Sequence, residues 1–133
     1  MKKRTKRTDI LDYRVSVFDY SLPTIYKKEI IARVRYNNIL DYWNGTDWCN
    51  GRLGTHKGLT KLKDGRYVLI EGSDYEGDKD TAYVISKEEA LKQILRSGNL
   101  DLLKLKKWKE LNDLYLDPYS DKKYEDLDNL EEN

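Results

Sequence analysis

The sequence predicts an α+β fold: a small twisted antiparallel β-sheet of about 4–6 strands with two C-terminal helices packed on it. Three observations predict it. Short segments of alternating apolar and polar residues fill the first two-thirds of the chain, and two of their connections carry Asn-Gly or Asp-Gly turn signals. A capped helical pattern begins at Ser86, and a run of leucines at helical spacing follows it up to Pro118. The order is therefore strands first and helices last.

The elements follow in chain order. In YRVSVFDY, Tyr13, Val15 and Val17 alternate with Arg14, Ser16 and Phe18, the period of a half-buried strand. Pro23 interrupts the chain, and a short helical turn is expected after it. The segment after it fits two periods: Ile30, Ile31 and Val34 would share a helical face capped by Thr24, or Ile30, Ala32, Val34 and Tyr36 would alternate as a strand. The β-branched and aromatic content of Ile30–Tyr36 favours the strand, with Arg33 and Arg35 projecting from its solvent face. Asn44-Gly45 predicts a two-residue hairpin turn between Tyr42-Trp43 and Thr46-Asp47-Trp48, because both central positions of a type I′ turn need positive φ. Asp64-Gly65 predicts a second such loop, which would set Leu62 opposite Tyr67 and Thr60 opposite Leu69. The segment TAYVI reads as a further strand. Ser86 and Glu89 have the spacing of a capping box, Ala90, Leu91, Ile94 and Leu95 form one apolar stripe, and Gly98 ends the helix. Leu102, Leu103, Leu105, Trp108, Leu111, Leu114 and Tyr115 then suggest a second helix or two short ones.

Composition sets the scale. The chain has 133 residues, 38% of them hydrophobic and 37% charged, which leaves a real but modest core under a heavily charged surface. Eleven tyrosines and three tryptophans enlarge the apolar area while keeping polar handles. The net charge of +1 hides polarised ends: MKKRTKR carries five positive charges, whereas residues 117–133 carry seven negative and two positive. The expected organisation is a basic segment 1–12, one domain over 13–116 and an acidic tail 117–133. No apolar run approaches the length of a membrane span, and no uninterrupted apolar stretch follows the basic start, so neither a membrane segment nor a secretory signal is expected. A single cysteine cannot form an internal disulfide, in keeping with a cytoplasmic setting.

Residues that could carry chemistry concentrate between Asp41 and Gly58. Cys49 and His56 are the types a thiol nucleophile and its base require, but a glycine-rich separation supplies no catalytic signature. One cysteine and one histidine are also too few for a structural zinc site. The acidic loop from Asp74 to Asp80 lacks the spacing of an EF-hand, and Gly51, Gly54 and Gly58 lack that of a phosphate loop. Neither catalytic residues, nor a metal, nor a cofactor is expected. Binding residues remain. Trp43 and Trp48 are either core residues or contact anchors, and Asp74, Tyr75, Glu76, Asp78 and Asp80, with Glu125, Asp126 and Asp128 of the tail, would present carboxylates to a basic partner. The alternative is nucleic-acid binding through Lys2, Lys3, Arg4, Arg33, Arg35, Lys106 and Lys107. A pI near 7.7 and the acidic tail weigh against a dedicated nucleic-acid binder.

The run HKGLTKLKDGRYVLIEGSDYEGDKDTAYVISKEEALKQILRSGN, with DYWNG upstream, resembles small accessory proteins of Gram-positive phages and conjugative elements. The resemblance covers roughly Arg33 to Asn99 and lends no catalytic residue. It implies a mobile-element setting, in which small charged proteins act as accessory or counter-defence factors, among them anti-CRISPR proteins. The resulting expectation is a non-enzymatic protein in a bacterial cytoplasm that inhibits a host defence protein stoichiometrically, with a CRISPR effector nuclease as the expected partner.

Overall fold

The computed structural model describes residues 12–119. Strands β1 (Arg14–Phe18), β2 (Ala32–Arg35), β5 (Thr55–Lys61), β6 (Tyr67–Ser73) and β7 (Thr81–Ile85) form one sheet in the order β2-β1-β7-β6-β5. Strands β3 (Tyr42–Trp43) and β4 (Trp48–Cys49) make a separate two-stranded hairpin. Helix α1 (Lys87–Ser97) follows β7. Two 3₁₀ turns (Leu100–Lys104 and Lys106–Trp108) then lead into helix α2 (Lys109–Leu116). The α+β class and the strand count agree with the sequence. One ladder does not: β1 pairs with β7 in parallel, Val17 beside Ala82, so the sheet is mixed. The pairing joins segments more than 60 residues apart, and no local turn signal encodes it.

The chain divides into two compact units, one ending at Asn99 and one beginning at Leu100. In the first, alternation decides the core. Val15, Val17, Val34, Val68, Ile70 and Ala82 share one face of the sheet, each at most 8% exposed, with Tyr13, Ile31, Tyr36, Leu62 and Val84 packed around them. Burying each valine or isoleucine among them contributes about 1.5–3 kcal/mol. The other face carries the buried Leu59, Tyr67 and Leu69, and α1 lies against β6. Ser86 caps α1 by accepting the Glu89 N–H at 3.0 Å, and Gly98 closes it in the left-handed region. The Glu89 carboxylate accepts from Gln93 instead of completing the box, and the buried face is Ala90, Gln93, Ile94 and Ser97, with Leu95 exposed. In the second unit Leu102, Leu103, Trp108 and Leu111 are buried, and Lys107 Nζ lies 5.0 Å from the Trp108 ring centre.

The β5–β6 hairpin is offset by one residue from its expected register. Lys61, not Leu62, stands opposite Tyr67, and Leu59 opposite Leu69. The cause is the loop. Leu62 and Arg66 close a three-residue connection in which Leu62 N–H donates to Arg66 O and Gly65 N–H to Leu62 O. Gly65, at φ 96°, holds the left-handed position that ends such a loop, so Asp64-Gly65 is the second half of a longer turn rather than a type I′ pair. The slip brings Lys61 Nζ over the Tyr67 ring, 5.3 Å from its centre.

Candidate interaction surface

The stretch from Asn37 to Asp41 runs along the outer side of β5. In β5 the backbone groups of residues 55, 57 and 59 point away from β6. Asn37 satisfies Leu59 twice: its Oδ1 accepts the Leu59 N–H at 3.1 Å and its Nδ2 donates to the Leu59 carbonyl at 3.1 Å. Leu40 N–H donates to Lys57 O, and Asp41 Oδ1 accepts the Lys57 N–H. Gly58 permits this approach, because a Cβ there would lie 2.1 Å from the Asn37 carbonyl oxygen.

Asp41 is the last residue before β3. Its side chain is 4% exposed, and its second oxygen engages His56 Nδ1. The other ring nitrogen, Nε2, lies 2.9 Å from Asp74 Oδ1. A neutral imidazole can donate from only one nitrogen, so two carboxylates in line with both select the imidazolium. The Asp41 hydrogen bond raises the His56 pKa above its ordinary value against the opposing effect of burial, and Asp74 adds to the rise. The result is a clamp joining the hairpin entrance, strand β5 and the acidic loop. Asn50 ties the hairpin exit to the same strand: its N–H donates to Thr55 O and its Nδ2 to Leu40 O.

Held at both ends, the β3–β4 hairpin pairs Tyr42 with Cys49 and Trp43 with Trp48. Its turn is centred on Gly45-Thr46, one residue later than the Asn44-Gly45 turn the sequence predicts. Asn44 uses its side chain: Oδ1 accepts the N–H groups of Thr46 and Asp47, both at 2.8 Å, which draws it out of the turn centre. One face of the hairpin holds the fully buried Cys49, whose Sγ receives Asn44 Nδ2. The other face carries the two tryptophans. Trp43 is 54% exposed and Trp48 63%, in an edge-to-face pair with ring centres 5.9 Å apart. Of the two places open to them, both occupy the surface.

The acidic loop has the opposite disposition. Asp74 meets His56, and its N–H donates to Gly54 O. Asp78 accepts from Ser73 Oγ, while Asp80 accepts the Tyr13 hydroxyl at 2.7 Å and the Ser73 N–H. Tyr75 lies over Gly54, where a Cβ would come within 2.5 Å of its ring. Glu76 is exposed. Among the predicted basic residues, Arg33 and Arg35 are exposed on β2, and Lys106 and Lys107 are exposed in the second unit. Lys2, Lys3, Arg4, Glu125, Asp126 and Asp128 lie outside the described residues.

The Cys49–His56 pair considered from sequence does not assemble as nucleophile and base, because both imidazole nitrogens are taken by carboxylates. Among the described residues no cluster of three or more His, Cys, Asp or Glu side chains is arranged to hold a metal ion. No described helix is long and apolar enough to cross a membrane. The sequence reading overlooked the His56 clamp and the Asn37 contact. Alternation offered one clue to the first: His56 shares a strand face with Gly58 and Thr60, so it stands beside the core, where a histidine needs partners. Compared with known proteins, the chain matches no family, no curated relative and no solved structure.

Proposed function

We propose that this protein is a non-enzymatic binding protein whose principal contact is the Trp43–Trp48 pair, and that it inhibits a host defence protein by occupying one of its surfaces. The observation that carries the reading is the exposure of two packed indoles on a hairpin fixed at both ends. Exposed tryptophans cost solubility and do little for a free domain, whereas buried against a partner they rank among the strongest anchors known. Preorganisation adds to this: a hairpin held by Asp41 and Asn50 loses little conformational entropy on docking. The host-defence target, with a CRISPR effector nuclease first, rests on the resemblance to mobile-element accessory proteins.

Two steps test the reading. Tagged wild-type protein and the Trp43→Ala/Trp48→Ala variant are used to capture partners from a bacterial host lysate, and the captured proteins are identified by mass spectrometry. A defence protein retained by the wild type and lost with the variant is the expected outcome. Identical capture by both removes the tryptophans from the interface. The captured effector is then assayed for cleavage with increasing protein. Inhibition should saturate near equimolar ratio, and full activity at large excess rejects inhibition of that effector.

A further inference from the structure

The five-stranded sheet ends in two edges that differ in how their hydrogen-bonding groups are treated. On β5 the outward groups of residues 55, 57 and 59 are all met from within the chain: Thr55 by Asn50 and Arg52, Lys57 by Leu40 and Asp41, and Leu59 by Asn37. On β2 the ladder with β1 uses alternate residues. Val34 stands opposite Val15 and Tyr36 N–H donates to Tyr13 O, so the N–H and C=O of Arg33 and Arg35 point away from the sheet. Among the described residues neither backbone has a partner.

We infer that this open edge of β2 is a docking strand for an extended acidic peptide segment of a partner protein, which would join the sheet as a sixth strand. Charge selects the occupant. Arg33 and Arg35 project on one face of β2, and Arg14, opposite Arg35 on β1, projects on the same face. Asp12 pairs with Arg14 at 3.1 Å and Arg35 at 3.5 Å, so one carboxylate serves two of the three guanidiniums, and among the described residues Arg33 has no ion pair. A strand with acidic residues at alternate positions would set two carboxylates opposite Arg33 and Arg35 while its backbone meets their free N–H and C=O groups. A second copy of the same edge would oppose arginine with arginine, which disfavours self-association. Nucleic acid would engage the guanidiniums yet leave the ladder groups unused. This surface is distinct from the tryptophan hairpin and does not depend on its role.

The test uses the full chain and a fluorescein-labelled hexapeptide with glutamate at alternating positions and valine or threonine between. Fluorescence anisotropy reads binding, and amide hydrogen exchange reads the edge. Binding, with new protection at the Arg33 and Arg35 amides, is expected. Arg33→Glu/Arg35→Glu should weaken binding about tenfold or more while far-UV circular dichroism stays unchanged. Methylating the peptide's edge-facing backbone nitrogens should weaken it on the unaltered protein, which separates strand addition from charge attraction. Equal binding of a lysine-for-glutamate peptide overturns the proposal, as does binding without protection of the two amides. Protection already present in the protein alone overturns it too, in favour of a second copy if concentration-dependent and of the chain's own tail if not. A single-stranded oligonucleotide that binds where the acidic peptide does not assigns the arginines to nucleic acid instead.

Discussion

The tryptophan hairpin and the acidic loop are both surface excursions built from residues that often make contacts, yet they use them in opposite directions. Asp74, Asp78 and Asp80 turn their carboxylates toward His56, Ser73 and Tyr13, and Tyr75 covers Gly54. Trp43 and Trp48 turn outward, while the residues flanking them, Asp41 and Asn50, turn inward. The difference follows from geometry. Carboxylates placed beside strand ends find N–H, hydroxyl and imidazolium donors within reach, and each such bond costs free energy to leave unmade. A two-stranded hairpin has only one face against the domain, so whichever cross-strand pair occupies the other face is left in water. Acidic composition and aromatic composition therefore have different fates here: the aspartates are engaged within the fold, whereas the two indoles stand in water.

Removing the clamp should have the largest effect. Asp41→Ala leaves the Lys57 N–H and the His56 Nδ1–H without acceptors in a nearly buried position, and stability should fall by about 3 kcal/mol, read from urea unfolding. A second test uses pH. His56 has a raised pKa in the folded chain, so the clamp contributes fully below its ordinary value of 6.5 and fades as pH climbs through the raised one. Unfolding midpoints should therefore drop as pH rises above 6.5 and through the raised value, and His56→Gln should flatten that part of the profile. An unchanged slope in His56→Gln would assign the pH dependence to other groups. A smaller loss, about 1 kcal/mol, is expected for Tyr13→Phe, which deprives Asp80 of its 2.7 Å hydroxyl donor. The smallest effect belongs to Trp43→Ala/Trp48→Ala. Exposed cross-strand aromatic pairs contribute roughly 0.2–1 kcal/mol, so the folded domain should tolerate their loss.

Much of the frame was legible because its signals are local. Val15 and Val17 alternate toward the core, Ser86 and Gly98 bracket α1, and both hairpins form where glycine turns mark them. Register was less legible: Asp64-Gly65 and Asn44-Gly45 each serve a turn displaced by one residue, since neighbouring hydrogen bonds at Leu62 and Asn44 decide where the loop closes. The parallel β1–β7 pairing and the clamp were not legible. Val17 meets Ala82, and His56 meets Asp41 15 residues earlier, only after the sheet has formed. Whether Trp43 and Trp48 were core or surface turned on which hairpin face packs inward, and Cys49, the small neighbour, took that place.

One pair of urea unfolding curves separates the inward-turned aspartates from the outward-turned tryptophan pair. Asp41→Ala and Trp43→Ala/Trp48→Ala are measured beside the wild type at pH 6. The first should lose about 3 kcal/mol and the second less than about 1 kcal/mol. The reverse order would show that the tryptophans hold the fold and that Asp41 does not, contradicting the clamp and the proposed role of the exposed pair.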